Sequence, residues 1–255
     1  MKLETLLTPV ELEGLTPEKL AGTACVVFDI LRATSAFVTA LNAGAAAIIP
    51  VGGVMEALAE KSRRPDCLLA GERDGVRIHA GLTGGVEFDL GNSPREFQDR
   101  LIRHRTIIST TTNGTRALRA CTGADAVMAG SFLNLAATGR HILQQEFTRV
   151  LMICAGTGNN AALEDTLAAG ALADWLHRNI NKPVSYSDAT QLSLHAYLHA
   201  LPAFPTVFDG SQNARKLLSL PDLAADVAFC RQRDCFDLVA AADAEGILRR
   251  FPPEI

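Results

Sequence analysis

The chain has 255 residues, 48% of them hydrophobic and 20% charged. That length and apolar share allow a sizeable buried core and exclude a disordered chain. The formal charge of −4 argues against non-specific binding to nucleic acid or to an anionic membrane surface. Met1 to Glu13 lacks the basic and apolar blocks of a signal peptide, and no stretch reaches the roughly 20 apolar residues of a membrane span. The six cysteines include no C-x-x-C pair and read as buried, reduced thiols. The expected location is the cytoplasm, with no nucleic-acid or membrane partner.

A short strand is expected around Leu3–Leu7, and Thr16-Pro17 reads as an N-cap with proline at the first helical position. The apolar run Ala24–Ile30 is the first strong strand. The helix Ala36–Ala43 follows and Gly44 ends it. Ala45–Val51 is the next strand, with a helix through Lys61. This β-α-β-α rhythm predicts parallel strands in a covered sheet. Cys67–Ala70 is a short strand, and Asp74 to Gly91 a glycine-rich irregular stretch. Ser93-Pro94 opens a helix through Leu101. Thr106–Ser109 is a strand that feeds the polar run Ser109 to Leu118, with a helix through Ala120. Ala126–Ala129, a helix to Gln145, the strand Val150–Cys154 and a helix from Glu164 to Ile180 come next. The remainder reads as mostly helical, with helices over Ser211–Leu218 and Leu223–Cys230 and a last edge strand over Phe236–Ala240. The fold class expected is α/β: a layered α/β/α arrangement with a largely parallel or mixed sheet. No Pro/Ser-rich linker breaks the chain, so 1–255 reads as one domain, and a division into two α/β subdomains stays open.

In open α/β sheets the ligand site lies beyond the carboxyl ends of the strands. Those ends carry Asp29, Arg32 and Thr34; Glu72 and Arg73; Asp89, Asn92 and Ser93; Thr110 to Arg116; Ser131 and Asn134; and Gly156 to Gly158 with Glu164 and Asp165. The densest of these stretches is Thr110, Thr111, Thr112, Asn113, Gly114, Thr115 and Arg116, laid out as strand, polar turn and helix. Backbone N–H groups at such a helix start suit an anion, and Arg116 adds a forked donor; an ordinary N-cap is the simpler alternative. Carboxylates gathered on one rim either repel or hold a hard cation, and Mg²⁺ takes one or two of them while keeping waters and substrate oxygens. Each residue has a structural alternative. Asp29, Glu164 and Asp165 can cap helices, Glu72 and Arg73 can pair at the surface, and Asp89 and Asn92 can shape the turn before Pro94. Arg32 is different, because a cation in a first helical turn opposes the helix dipole. P-loop, G-x-S-x-G, H-E-x-x-H and D-x-D patterns are missing from the sequence. The ligand expected from these residues is a small phosphorylated acid with Mg²⁺.

The motifs also come in a recognisable order. They are Val26-Val27-Phe28-Asp29-Ile30-Leu31-Arg32-Ala33-Thr34, Gly71-Glu72-Arg73, Phe88-Asp89-Leu90-Gly91-Asn92-Ser93-Pro94, Thr110 to Leu118, Gly130-Ser131-Phe132-Leu133-Asn134, and Cys154-Ala155-Gly156-Thr157 with Leu163-Glu164-Asp165. Together they resemble the 2-phosphosulfolactate phosphatase family (ComB-like). The resemblance implies an α/β fold of its own and an Mg²⁺-dependent hydrolase that converts 2-phospho-3-sulfolactate to 3-sulfolactate and phosphate. In methanogens that reaction serves coenzyme M biosynthesis. Carried onto this chain, it implies Asp29, Arg32 and Arg116 as catalytic residues. Substrate would be bound by Thr34, Arg73, Asn92, Ser93, Thr110 to Thr115, Ser131 and Asn134, and metal by Asp29, Glu72, Asp89 and Glu164. A phosphatase of another 2-phosphorylated acid (phosphoglycolate or phospholactate type), a non-catalytic anion-binding protein, and a homodimer stay open.

Overall fold

The structure, a computed structural model, describes residues 1–97 and 99–252. Its strands are β1 Lys2–Leu6, β2 Thr23–Phe28, β3 Ala47–Pro50, β4 Leu68–Arg73, β5 Val76–Arg77, β6 Thr106–Thr110, β7 Ala126–Gly130, β8 Arg149–Cys154, β9 Ser185–Tyr186, β10 Val239–Ala242 and β11 Leu248–Phe251. Its helices are α1 Pro17–Leu20, α2 Ala33–Asn42, α3 Val54–Arg63, α4 Ala80–Thr83, α5 Asp99–Ile102, α6 Gly114–Ala120, α7 Leu135–Gln144, α8 Leu163–Asn179, α9 Asp188–Ala200, α10 Phe204–Asp209, α11 Gln212–Leu218 and α12 Ala224–Cys230.

The strands form one open sheet in the order β5-β4-β6-β3-β11-β10-β7-β2-β8-β1-β9. Two blocks within it are parallel, as the β-α-β rhythm requires: β4, β6 and β3 on one side, and β7, β2, β8, β1 and β9 on the other. Between them lies the antiparallel hairpin of β10 and β11, each also antiparallel to its outer neighbour. The two parallel blocks therefore run in opposite directions. The expected edge strand over Phe236–Ala240 is instead internal, and it starts at Val239. Its partner β11, Leu-Arg-Arg-Phe, carries too little apolar alternation to stand out in sequence. The helix expected from Ser93 to Leu101 is divided into a 3₁₀ turn, Pro94–Glu96, and α5; Gln98 lies outside the described residues.

Opposed blocks in a flat sheet would put their carboxyl ends at opposite edges. Here one buried cluster joins them: Val27 and Ile153 from one block, Leu68 and Ile107 from the other, with Phe37, Val38 and Leu41 of α2. Every residue from Ala33 to Leu41 is buried, the signature of a helix packed on all sides. Helix α6 touches β2, β3 and β7. The sheet wraps around α2 and α6 and brings the ends of β4 and β6 to the end of β2. All six residues of β2 are buried, as expected for a strand covered on both faces. A second cluster lies between the larger block and α8, which packs closely on α9.

Candidate functional site

A cavity of about 290 Å³ opens where these ends meet. Its wall includes Asp29, Leu31, Arg32, Glu72, Asp74, Gly75, Asn92, Thr112, Asn113, Gly156, Thr157, Asn213 and Lys216. The turn after β2 positions the first of these. The Ala33 N–H donates to Asp29 Oδ1 (3.1 Å) and the Asp29 N–H donates to Thr34 Oγ1 (3.0 Å), so the start of α2 is tied to the strand end. Helix α6 then arrives against Asp29. A Cβ on Gly114 would lie 2.6 Å from Asp29 Oδ2, which only glycine avoids.

Asp74-Gly75 is a two-residue hairpin between β4 and β5 with both φ angles positive, +57° and +87°. Its tip builds the site. The Gly75 N–H donates to Glu72 Oε2 (2.8 Å), and Gly75 O accepts from Arg32 Nη2 (2.6 Å). Glu72 Oε1 accepts from both the N–H and the hydroxyl of Thr112, at 3.0 and 2.9 Å. Arg32 is buried, and its Nη1 donates to Asp226 Oδ2 at 2.7 Å. Asp226, on α12 and fully buried, also accepts from Ser93 Oγ (2.7 Å). Asn113 Nδ2 closes the ring by donating to Gly156 O (2.6 Å).

The acidic groups set the electrostatics. Burial pushes the Asp29 carboxyl up to about 7; the charges of Glu72 and Glu164 add to the rise, while the Ala33 N–H and Arg32 oppose it. Asp165 is pushed well above the carboxylate range, by burial and then by Glu164 and Asp29, although the Ile30 and Gly156 N–H groups donate to it at 2.8 and 3.0 Å. It staples the ends of β2 and β8 together. Glu164 is almost wholly buried: its Oε1 accepts from Asn213 Nδ2 (2.6 Å) and its Oε2 has no hydrogen-bond partner. Among the described residues, no three His, Cys, Asp or Glu side chains form a preformed metal cage.

Of the expected residues, the structure gathers Asp29, Arg32, Glu72, Asn92, Thr112 and Asn113 at the cavity wall, with Glu164 behind Asn213. Others go elsewhere. Asp89 is exposed near the start of β4, accepting from the Leu69 N–H (2.8 Å), so it is separated from the carboxylates at the strand ends. Arg116 is exposed on α6 and faces Glu13 at 4.0 Å. Gly114 N-terminal to it turns its face to Asp29, and two residues along a helix point to different sides. Thr111 and Thr115 are buried and bond each other, closing the start of α6 upon itself. Thr110 is buried beneath Arg73, whose Nη2 donates to its hydroxyl (3.2 Å). Ser131 and Asn134 form a capping pair, with Ser131 also bonded to Ser35 and Asn134 to Leu238 O. Thr34 and Ser93 support Asp29 and Asp226 from behind. Sequence reading missed Asp74, Gly75, Asn213, Lys216 and Asp226. The Asp-Gly pair carried a hairpin signal; the other three sit on C-terminal helices whose patterns speak only of packing.

An acidic cavity at the strand ends, with the buried Arg32 held against it, places this protein among α/β enzymes that act on small anions. The pattern of the 2-phosphosulpholactate phosphatase family matches residues 10–245. A protein from Thermotoga petrophila named probable 2-phosphosulfolactate phosphatase is 36% identical over 228 residues, covering 89% of this chain and 92% of its own. Proteins of the same name from Caldanaerobacter subterraneus (38% over 218 residues, 84% and 85% covered) and Symbiobacterium thermophilum (36% over 217 residues, 84% and 89%) are also similar. The chain belongs to the 2-phosphosulpholactate phosphatase family.

Proposed function

We propose that this protein is an Mg²⁺-dependent phosphatase that hydrolyses 2-phospho-3-sulfolactate to 3-sulfolactate and phosphate. The observation that carries the reading is Asp29 and Glu72 together on one cavity wall with Glu164 behind Asn213, Asp29 being raised to about 7 by its burial and by the charges of the other two. Such mutual repulsion is relieved by a cation, and the partnerless Glu164 Oε2 is a donor atom available to one. Mg²⁺ fits this set because it is satisfied by one or two carboxylates and keeps water in its other positions, so no full protein cage is needed. Asp29 and Glu72 would hold it, with Glu164 direct or through water. When bound, the metal supplies charge neutralisation at the phosphate and a lowered pKa for a bound water.

The remaining roles belong to the chain. Arg32, held rigid by Asp226 and Gly75 O, presents a fixed cation to the phosphoryl oxygens. Thr112 and Asn113 line the phosphate end. Asp29 Oδ1 is occupied by the Ala33 N–H, which leaves Oδ2 as the oxygen for the metal. Phosphoryl transfer asks mainly for positioning and charge neutralisation, which this arrangement provides. Among the described residues no helix is long and apolar enough to cross a membrane. The buried free thiols Cys25, Cys121, Cys154 and Cys230 suit a reducing compartment, and we place the enzyme in the cytoplasm.

Phosphate release from 2-phospho-3-sulfolactate, 2-phospholactate and phosphoglycolate, each with Mg²⁺ and with chelator, tests the reading. Metal-dependent release that is fastest from the sulfonated substrate is expected. Faster release from one of the others would reassign the substrate, and release from none would leave an anion-binding protein.

A further inference from the structure

We propose that Lys216, on α11, is the residue that recognises the sulfonate group and so sets the substrate preference. The proposal rests on the phosphatase reading. Among the described residues, the cations on the cavity wall are Arg32 and Lys216. Arg32 is buried and committed, with one nitrogen on Asp226 and the other on Gly75 O. Lys216 is exposed, and among the described residues its ammonium enters no ion pair or hydrogen bond. It reaches the cavity because Asn213 on the preceding turn is pinned to Thr157 Oγ1 (2.7 Å) and Glu164 Oε1 (2.6 Å). Asn213, Lys216 and Leu217 are spaced i, i+3, i+4, one face of the helix, and all three line the cavity.

The chemistry of the substrate divides the two cations. Phosphate and carboxylate hang from the same carbon, so both fall at the acidic end with Arg32. The sulfonate stands on the next carbon and needs a cation further out. Both cations line the cavity, Arg32 buried and Lys216 exposed, which sets Lys216 at the outer, solvent-facing end. A sulfonate has three oxygens and no planar fork to match, and the rotatable donors of an ammonium suit it as well as a guanidinium would.

Steady-state kinetics of wild type, Lys216→Ala and Lys216→Arg with 2-phospho-3-sulfolactate and 2-phospholactate test this, the second substrate lacking only the sulfonate. Lys216→Ala is expected to lower kcat/KM for the sulfonated substrate about 10- to 100-fold, mostly through KM, and by a clearly larger factor than for 2-phospholactate. Lys216→Arg should recover most of the preference. Equal losses on both substrates, or no loss on either, overturn the proposal while wild-type turnover keeps the phosphatase reading. Wild type inactive on both substrates removes that reading, and the proposal with it.

Discussion

Arg32 and Arg116 are the same residue type at similar places, the start of a helix after a strand, and the fold uses them in opposite ways. Arg32 is closed in by Asp226 and the Gly75 carbonyl, whereas Arg116 reaches out to an exposed Glu13. A surface pair at 4.0 Å contributes little, and among the described residues no hydrogen bond ties Arg116 to the cavity. Arg116→Ala is therefore expected to keep kcat/KM within about twofold of wild type, the effect usual for a screened surface charge. Arg32→Lys preserves the charge but loses the fork that holds Asp226 and Gly75 together. It is expected to lower kcat/KM about 10- to 100-fold with the fold retained by circular dichroism. If the two variants behave alike, or the order reverses, the assignment of Arg32 fails. In the sequence both arginines follow polar strand ends, and the dipole argument that singles out Arg32 applies as well to Arg116 in the first turn of α6. What separates them is direction around a helix and a partner nearly two hundred residues further along the chain.

The elements that carry the site are held by close backbone approaches. Helices α8 and α9 meet at Gly170, where a Cβ would sit 2.0 Å from the Ser193 carbonyl oxygen. That oxygen belongs to a helix backbone and cannot swing aside as a side chain could. Gly170→Ala should cost about 2 kcal/mol or more, read as a lower denaturation midpoint with an unchanged m-value. A stability equal to wild type would mean that the two helices are further apart than described. Because Glu164 and Asp165 lie in the first turn of α8, the same variant should weaken Mg²⁺ binding more than a surface glycine replacement such as Gly53→Ala, whose Cβ meets nothing within 4 Å. The run of small residues from Ala168 to Ala173 indicates close packing in the sequence, and the helix was legible from it. Which neighbour it packs on was not.

At the scale of the molecule, stability and the site share one acidic cluster. Asp29 rises from 3.8 to about 7 on folding, so between those values the folded protein holds a proton that the unfolded chain has released. Stability of the metal-free protein therefore falls as pH rises through that window, and Asp165, also raised by burial, adds to the fall. The groups facing Asp29 are Glu72, Glu164, Arg32 and Asp165, and the charges of the first two oppose its ionisation. Mg²⁺ needs the ionised form, so the gain in Tm from added metal should grow over the same window. Melting curves in chelator and in Mg²⁺ at pH 5 and pH 8 would show both trends. Asp29→Asn should make the metal-free trend shallower, leaving the part that belongs to Asp165, and abolish turnover. An unaltered slope in that variant would assign the dependence to other groups, and near-normal activity would remove Asp29 from the reaction.

Apolar runs and their spacing determined most of the elements and the α/β class, because burial patterns repeat locally with the period of the strand or helix. The motifs at strand ends marked loops that line the cavity, and Asp29, Arg32 and Glu72 were named from them. The reversal between the two parallel blocks, the wrap of the sheet around α2, and the contributions of Asn213, Lys216 and Asp226 were decided only by tertiary structure. A hairpin of two strands with weak patterns joins those blocks, and no local signal in β10 or β11 says which strands they will pair. Nor can spacing along a chain report direction around a helix axis. That is why Arg116 and Asp89 turned away, and why helices whose sequence speaks only of packing complete the site.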